Sequence, residues 1–188
     1  MDADWAVELG AGDESLEIPW AAADGSLRYF DLKRQPELLL KIEEAVRVPE
    51  LGEFLAAINS SASILETAKC DAWSTSEIDF EEEIFGCAIK FGSYIDLFFT
   101  EDRARFSFPE HERLVKQFTE LLRRTPELPA RAEFLVRRCY YRQDEKITNG
   151  FYVTFYLFGY GDNEVEARQR WTTALKLVQS AMQHLSLR

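Results

Sequence analysis

One stretch, residues 149–161, constrains the fold more than any other part of the chain. It reads N-G-F-Y-V-T-F-Y-L-F-G-Y-G, and six of its thirteen residues are aromatic. Aromatic and β-branched residues favour strands, in which successive side chains point to opposite faces. Both faces would be largely apolar: Phe151, Val153, Phe155 and Leu157 on one side, and Tyr152, Thr154, Tyr156 and Phe158 on the other.

A strand with two apolar faces is typical of the centre of a sheet. We therefore expect helices on one side of residues 149–161. The cover on the other side could be the N-terminal segment, a second subunit or a ligand. Gly159-Tyr160-Gly161 matches neither G-x-x-x-x-G-K-S/T nor G-x-G-x-x-G, so it does not predict a phosphate loop. We assign these glycines to turn geometry.

The preceding sequence predicts two short helices, at residues 36–46 and 49–58, each opened by a Pro-Glu-Leu triplet. A strand is expected at 67–76, followed by a solvated acidic loop at 77–83. Residues 84–100 alternate as a strand does, either as one bent strand or as two joined by a turn at Gly92-Ser93. A short strand at 103–106 follows, and Ser107 and Glu110 have the spacing of a capping box.

The remainder of the chain predicts a helix ending near Thr125-Pro126, a strand at 131–142, the aromatic strand, and a last helix with Asn163 and Glu166 at capping-box spacing. The fold class is α+β, with a four- to five-stranded antiparallel sheet, helices mainly on one face, and the order α-α-β-β(β)-α-β-β-α. Residues 1–26 are expected to form a partly ordered arm, and residues 27–188 a single domain. This element order is similar to that of small acidic secretion-chaperone domains, which implies a dimer that holds extended partner segments.

Composition narrows the function classes. The net charge of the 188 residues is −11, and residues 1–100 alone carry 21 Asp and Glu against 7 Lys and Arg. This balance argues against nucleic acid as a partner. An acidic N-terminus and the lack of a long apolar run predict a cytoplasmic protein without a membrane segment. The isolated cysteines Cys70, Cys87 and Cys139 predict neither disulfides nor zinc, and His111 is expected to have a partly buried packing role.

The candidate binding residues lie on predicted strands. Arginine and tyrosine side chains on a sheet can hold an anionic or aromatic ligand, or can form a protein interface. The alternative is cross-strand ion pairing, for example between Asp96 and Arg138. The candidates are Lys90, Asp96, Arg137, Arg138, Tyr140, Tyr152 and Tyr156.

No catalytic, metal-binding or cofactor-binding set emerges from the residue spacing. The leading hypothesis is a non-enzymatic, chaperone-like domain that binds a protein segment through its aromatic and arginine-bearing sheet. It is expected to form a homodimer and to bind a further protein. The second hypothesis is a small-molecule pocket between sheet and helices, and the third is an enzyme of unknown reaction.

Overall fold

The structure, a computed structural model, describes residues 1–25, 27–143 and 145–186. Two 3-10 helices, at Pro36–Lys41 and Phe80–Phe85, accompany the regular elements. The helices are α1 (Glu43–Arg47), α2 (Pro49–Ile58), α3 (Asp102–Arg105), α4 (Phe108–Arg123) and α5 (Glu164–Ser186). The strands are β1 (Asp2–Glu8), β2 (Ser15–Ile18), β3 (Leu65–Thr75), β4 (Ile89–Phe99), β5 (Ala130–Gln143) and β6 (Lys146–Gly161).

The six strands form one mixed sheet in the order β1-β5-β6-β4-β3, and β2 pairs with β5 beyond the end of β1. The α+β class is confirmed, but the prediction of a wholly antiparallel sheet with four or five strands is wrong. β1 and β2 both run parallel to β5. Residues 1–26, expected as an arm, therefore contribute two edge strands. Their apolar alternation is short and is interrupted by a loop containing Gly10 and Gly12, so it gave no sustained period.

β6 is a central strand, as predicted, and pairs with β5 on one side and β4 on the other. Helices cover the face that presents Phe155, whose ring stacks on Phe134 at a centroid distance of 5.0 Å. Trp171 of α5 is fully buried on this face, and its indole N–H donates to the Ser93 hydroxyl at 2.9 Å.

The glycines near the end of β6 bring the strand and α5 together. A Cβ at Gly159 would lie 2.2 Å from the Trp171 backbone nitrogen and 2.5 Å from the Ala167 carbonyl oxygen. A Cβ at Gly161 would lie 2.5 Å from the Ala167 nitrogen. The interpretation of these glycines as turn residues is therefore wrong. Both lie within the strand, and each is required because the helix backbone occupies the space of a side chain.

Several local predictions differ from the structure. Gly92 and Ser93 lie within β4, so residues 89–99 are one strand. The segment predicted as a strand at 103–106 is mostly helix α3, in which the Arg105 N–H donates to the Glu101 carbonyl at 2.9 Å. The first predicted helix is divided where Ile42 adopts an extended conformation.

The two predicted helix caps have different outcomes. α4 begins after Ser107, but the Ser107 side chain makes no capping hydrogen bond, so that capping box is wrong. At the start of α5, the Glu166 N–H donates to the Asn163 side-chain oxygen at 3.0 Å, which confirms that contact.

The second face of the sheet, the side opposite the large helices, is covered at its two ends. At one end, Leu16 and Ile18 of β2 pack with Tyr152, Phe98 and Tyr141. At the other end lies the 3-10 helix Phe80–Phe85. The prediction that the acidic segment 77–83 is a solvated loop is wrong, because Glu82 of this helix is buried. Between the covers a strip of the sheet is left partly open.

Across the described ranges, no helix is both long and apolar enough to cross a membrane.

Candidate functional site

Four neighbouring rings form the partly open strip of the second face. We call Trp73 of β3, Tyr94 of β4, and Tyr156 and Phe158 of β6 the aromatic strip. Each is half-buried. The ring centroids of successive neighbours lie 6.2 to 6.5 Å apart, from Phe158 to Trp73, from Trp73 to Tyr94 and from Tyr94 to Tyr156. These distances are within the range of ring-to-ring contact, so the strip is one continuous aromatic surface.

The strip is continuous because Gly92 lies beneath it. Gly92 is the cross-strand partner of both Trp73 and Phe158. A Cβ at Gly92 would lie 2.9 Å from the Phe158 ring and 3.1 Å from the Trp73 ring. The two rings therefore lean over the glycine and meet in an edge-on contact. Any larger residue at position 92 would separate them.

Carboxylates border the strip. Glu133 is the cross-strand partner of Tyr156, and Asp71 is the partner of Tyr94. Burial raises the pKa of the Tyr94 hydroxyl, and the carboxylates of Asp96, Asp71 and Glu14 raise it further.

The cations closest to the strip are each held by carboxylates of the same chain. Lys90 donates to Glu82 at 2.7 Å, and its ammonium lies 5.3 Å from the centroid of the Phe158 ring. Arg131 pairs with Glu81 at 3.5 Å. Asp71 of the border is likewise paired, with Arg47 at 3.1 Å, so the negative charge that remains beside the aromatic faces is that of Glu133. An aromatic face with a carboxylate beside it attracts a cation.

A buried polar chain runs beside the strip at the centre of the second face. The Thr154 hydroxyl donates to Asp96 at 2.8 Å and accepts from Arg137 at 3.1 Å. Arg137 also donates to Glu8 at 2.7 Å and to Glu14 at 2.9 Å. Burial raises the pKa of Asp96 to about 7, although the Thr154 hydrogen bond lowers it.

The predicted pairing of Asp96 with Arg138 is wrong. The Arg138 guanidinium donates instead to the Leu9 carbonyl at 2.7 and 3.0 Å. The reason is the strand period: Arg138 and Asp96 project from opposite faces of the sheet.

Asp96→Asn is expected to make stability less dependent on pH. Between pH 4 and 7 the native carboxyl, with its raised pKa of about 7, holds a proton that the unfolded chain has released. Wild-type stability should therefore fall as pH rises through this window. The neutral amide retains an oxygen that can accept from Thr154. Urea unfolding should show the variant more stable than wild type by about 2–4 kcal/mol at pH 8, with little difference at pH 4. A difference that is constant with pH would contradict the assignment to Asp96.

Both edges of the sheet are obstructed by side chains. On β3, the outward backbone is hydrogen-bonded by Arg47 at the Ala72 carbonyl, by Trp20 at the Ala68 carbonyl and by Lys33 at the Leu65 carbonyl, at 2.7, 2.9 and 3.0 Å. On β1, Arg123 donates to the Ala3 carbonyl at 2.8 Å. Such contacts hinder the addition of a further strand.

The seven predicted site residues divide between the two faces. Lys90, Asp96, Arg137, Tyr152 and Tyr156 share the second face, whereas Arg138 and Tyr140 are exposed and project the other way. Among the five that the structure brings together, Tyr152 is buried beneath β2, and Tyr156 is the half-exposed member.

Sequence reasoning missed five residues of the strip and its border: Trp73, Tyr94, Phe158, Asp71 and Glu133. The available signal was the period-2 pattern within each predicted strand. That pattern shows which face of its own strand a residue occupies, but not the register between strands that sets these residues beside one another.

Comparison with known proteins identifies no relative of this chain. The chain matched no protein-family model, no curated protein and no solved structure.

Two cavities, of about 390 and 410 Å³, flank residues 27–33, and neither is lined by Arg137 or Arg138. The smaller contains Glu66, Lys33 and Arg105. Its cations are engaged within the chain: Lys33 donates to the Ser63 and Leu65 carbonyls and to the Thr100 hydroxyl, at 2.6 to 3.0 Å. Arg105 donates to the Phe99 carbonyl at 2.9 Å. This arrangement favours a structural role for these cations over ligand binding.

His111, for which the sequence predicts a partly buried packing role, is fully buried, and its Nδ1 lies 2.9 Å from the Ser107 carbonyl oxygen. Burial lowers the pKa of its imidazole, which favours the neutral ring. In the part of the chain that the structure describes, no three His, Cys, Asp or Glu side chains are grouped so that they could hold a metal ion.

Proposed function

We propose that this protein binds a segment of a partner protein on the aromatic strip, and that the segment carries arginine or lysine side chains. The observation that carries the proposal is the juxtaposition of four half-buried rings with an acidic border. Aromatic faces attract cations, most strongly where the cation is removed from water, and carboxylates beside them add charge-assisted hydrogen bonds. A Lys or Arg side chain over Tyr156 would lie next to Glu133, the cross-strand partner of that tyrosine.

The face supports this role better than the edges do. A partner strand added at β3 or β1 would have to displace Arg47, Trp20 or Arg123 from the backbone carbonyls that they now hold. A segment on the face needs no such displacement, and it would cover apolar surface that is now partly exposed.

The charge pattern also favours a different protein over a second copy as the occupant. In a two-fold dimer the same patch contributes twice to the interface, so an interface through the strip would bring Glu133 of both copies into one contact area. Like charges brought together in this way are unfavourable. A basic segment would instead neutralise them.

The proposal is tested by selection from a phage-displayed library of random dodecapeptides with the full chain as target. Selected peptides should be enriched in Arg or Lys beside an aromatic or large aliphatic residue. Their synthetic forms should bind the full chain in calorimetry, and raised salt should weaken the binding.

Variants of the strip and a matched tyrosine control make this test specific. Tyr156→Ala and Glu133→Lys should each weaken peptide binding at least tenfold. Tyr140→Ala removes an exposed tyrosine that projects from the other face, and should leave binding unchanged. Peptides without basic residues, or peptides that bind all variants equally, would overturn the proposal. So would a dimer in sedimentation that Tyr156→Ala converts to monomer, because the occupant would then be a second copy.

A further inference from the structure

The larger of the two cavities beside residues 27–33 has the character of a ligand site. Its volume is about 410 Å³, near the lower end of the range for small-molecule pockets. Helix α1, the edge strand β3 and the segment before the first 3-10 helix enclose it. We call it the Cys70 cavity; the apolar side chains that line it include Trp20, Phe30, Ile42, Ala68, Cys70 and Tyr94.

The segment at residues 28–33 separates the two cavities. Its side chains alternate as in a strand: Phe30 and Leu32 line the Cys70 cavity, whereas Tyr29, Asp31 and Lys33 line the smaller one. The preceding turn is fixed by backbone hydrogen bonds, from the Tyr29 N–H to the Trp20 carbonyl and from the Ala22 N–H to the Leu27 carbonyl, both at 2.8 Å. Trp20 is anchored to β3 through Ala68. The wall of the cavity is therefore built by specific contacts.

The lining of the cavity combines apolar side chains with charges of both signs. Leu32 and Leu55 are almost fully buried, and Trp20, Phe30 and Tyr94 supply rings from three separate segments. Burial raises the pKa of the Cys70 thiol to about 12, so the thiol is neutral near pH 7. The charged lining comprises Arg28, Lys41 and Lys69 against Glu43, Glu44 and Asp71.

Three cations and three carboxylates give the lining no net charge with which to select an ion, and its apolar part disfavours one.

We infer that the Cys70 cavity binds an uncharged ligand of one or two aromatic rings. Three ring-bearing walls allow edge-to-face and stacked contacts, and a volume of about 410 Å³ limits the ligand to this small size. The inference does not depend on the proposed peptide site, although Tyr94 borders both.

Indole is the probe for this inference, titrated into the ¹⁵N-labelled full chain. Chemical-shift changes should be confined to backbone amides around the cavity, such as those of Phe30, Ala68 and Cys70. Ala68→Leu places added methyl groups at the cavity wall and should weaken indole binding at least tenfold. Cys70→Met fills the space from a second position and should have the same effect. A thermal unfolding scan checks that each variant is folded. Because the added side-chain atoms occupy space that is empty in the wild type, the Tm of both variants should be unchanged or raised.

A second titration separates this inference from the proposed function. Glu133→Lys, which should impair peptide binding, should leave indole binding unchanged. Indole shifts spread over the whole surface, or equal indole affinity in wild type and both filled variants, would overturn the inference. If the filled variants lose indole but still bind the selected peptides, the two sites are independent, as inferred.

Discussion

Gly159→Ala is expected to destabilise the protein by about 3 kcal/mol, the upper end of the usual cost of overpacking. The added methyl group would meet backbone atoms of Ala167 and Trp171 at 2.2 to 2.7 Å, and backbone within a helix cannot rotate away as a side chain can. α5 would have to move off β6, and Trp171 would leave its buried position. The measurement is urea unfolding followed by Trp fluorescence, with the free energy extrapolated to water.

Gly12→Ala is the matched control for this substitution. Gly12 lies in the exposed loop between β1 and β2, and a Cβ there has no heavy atom within 4 Å. Its free energy of unfolding should stay within about 0.5 kcal/mol of wild type. A loss below about 1 kcal/mol for Gly159→Ala would show that α5 does not approach β6 as closely as described, since even ordinary overpacking costs more.

Glu82→Ala is expected to cost about 3–5 kcal/mol, the loss seen when one partner of a buried ion pair is removed. The Glu82 carboxylate accepts from Lys90 at 2.7 Å and from the Tyr160 hydroxyl at 2.7 Å. Its side chain is 5% exposed, and that of Lys90 is 11% exposed. In the variant, the Lys90 ammonium would keep one carboxylate partner, that of the largely exposed Asp79, whose Oδ2 lies 3.5 Å from Lys90 Nζ. Chemical denaturation at pH 7 measures the loss.

Glu83→Ala provides a control at the next position, because Glu83 is exposed. This variant should stay within about 0.5 kcal/mol of wild type. Equal losses for Glu82→Ala and Glu83→Ala would mean that the 3-10 helix as a whole, and not the buried contact, carries the effect.

The contribution of Glu82 should also depend on pH. Burial alone would raise the pKa of this carboxyl, but hydrogen bonds from Lys90, the Asp79 N–H and Tyr160 together lower it below 4.5. The contribution is therefore complete above pH 4.5 and is lost as pH falls through the lowered pKa. The free-energy difference between wild type and Glu82→Ala should shrink in this acid range. A difference that grows on acidification would contradict the ion pair.

Two local patterns were read correctly from the sequence. The alternating aromatic run is a central strand, and the Pro-Glu-Leu triplet at Pro49 opens a helix at the predicted position, α2. Both signals are local: strand alternation and helix-start chemistry act on neighbouring residues and do not require the rest of the chain. The seven candidate site residues were assigned together to one side of the sheet, whereas the structure places five of them on one face and Arg138 and Tyr140 on the other.

Features that depend on distant contacts were misread. The acidic segment at 77–83 looks solvated because its composition is polar, yet Lys90 and Tyr160 draw Glu82 into a buried position. The alternation of Ala3, Trp5 and Val7 in β1 is a local strand signal, but only the contact with the unpaired edge of β5 shows that β1 and β2 join the sheet. The members of the aromatic strip could be assigned to strands, but not to one another, because register is a property of paired strands.

The stretch at residues 149–161 shows which features the sequence determines and which depend on the tertiary structure. Its sequence determined that it would be a strand with two apolar faces, because side-chain alternation is built into the extended backbone. Only the tertiary structure decided the use of each face. On one, Gly159 and Gly161 admit the backbone of α5, a contact between segments whose approach no local pattern encodes. On the other face, β2 and the 3-10 helix Phe80–Phe85 cover the ends of the strand and leave Tyr156 and Phe158 partly open. The burial of these rings depends on which segments pack above them, and not on their own identity.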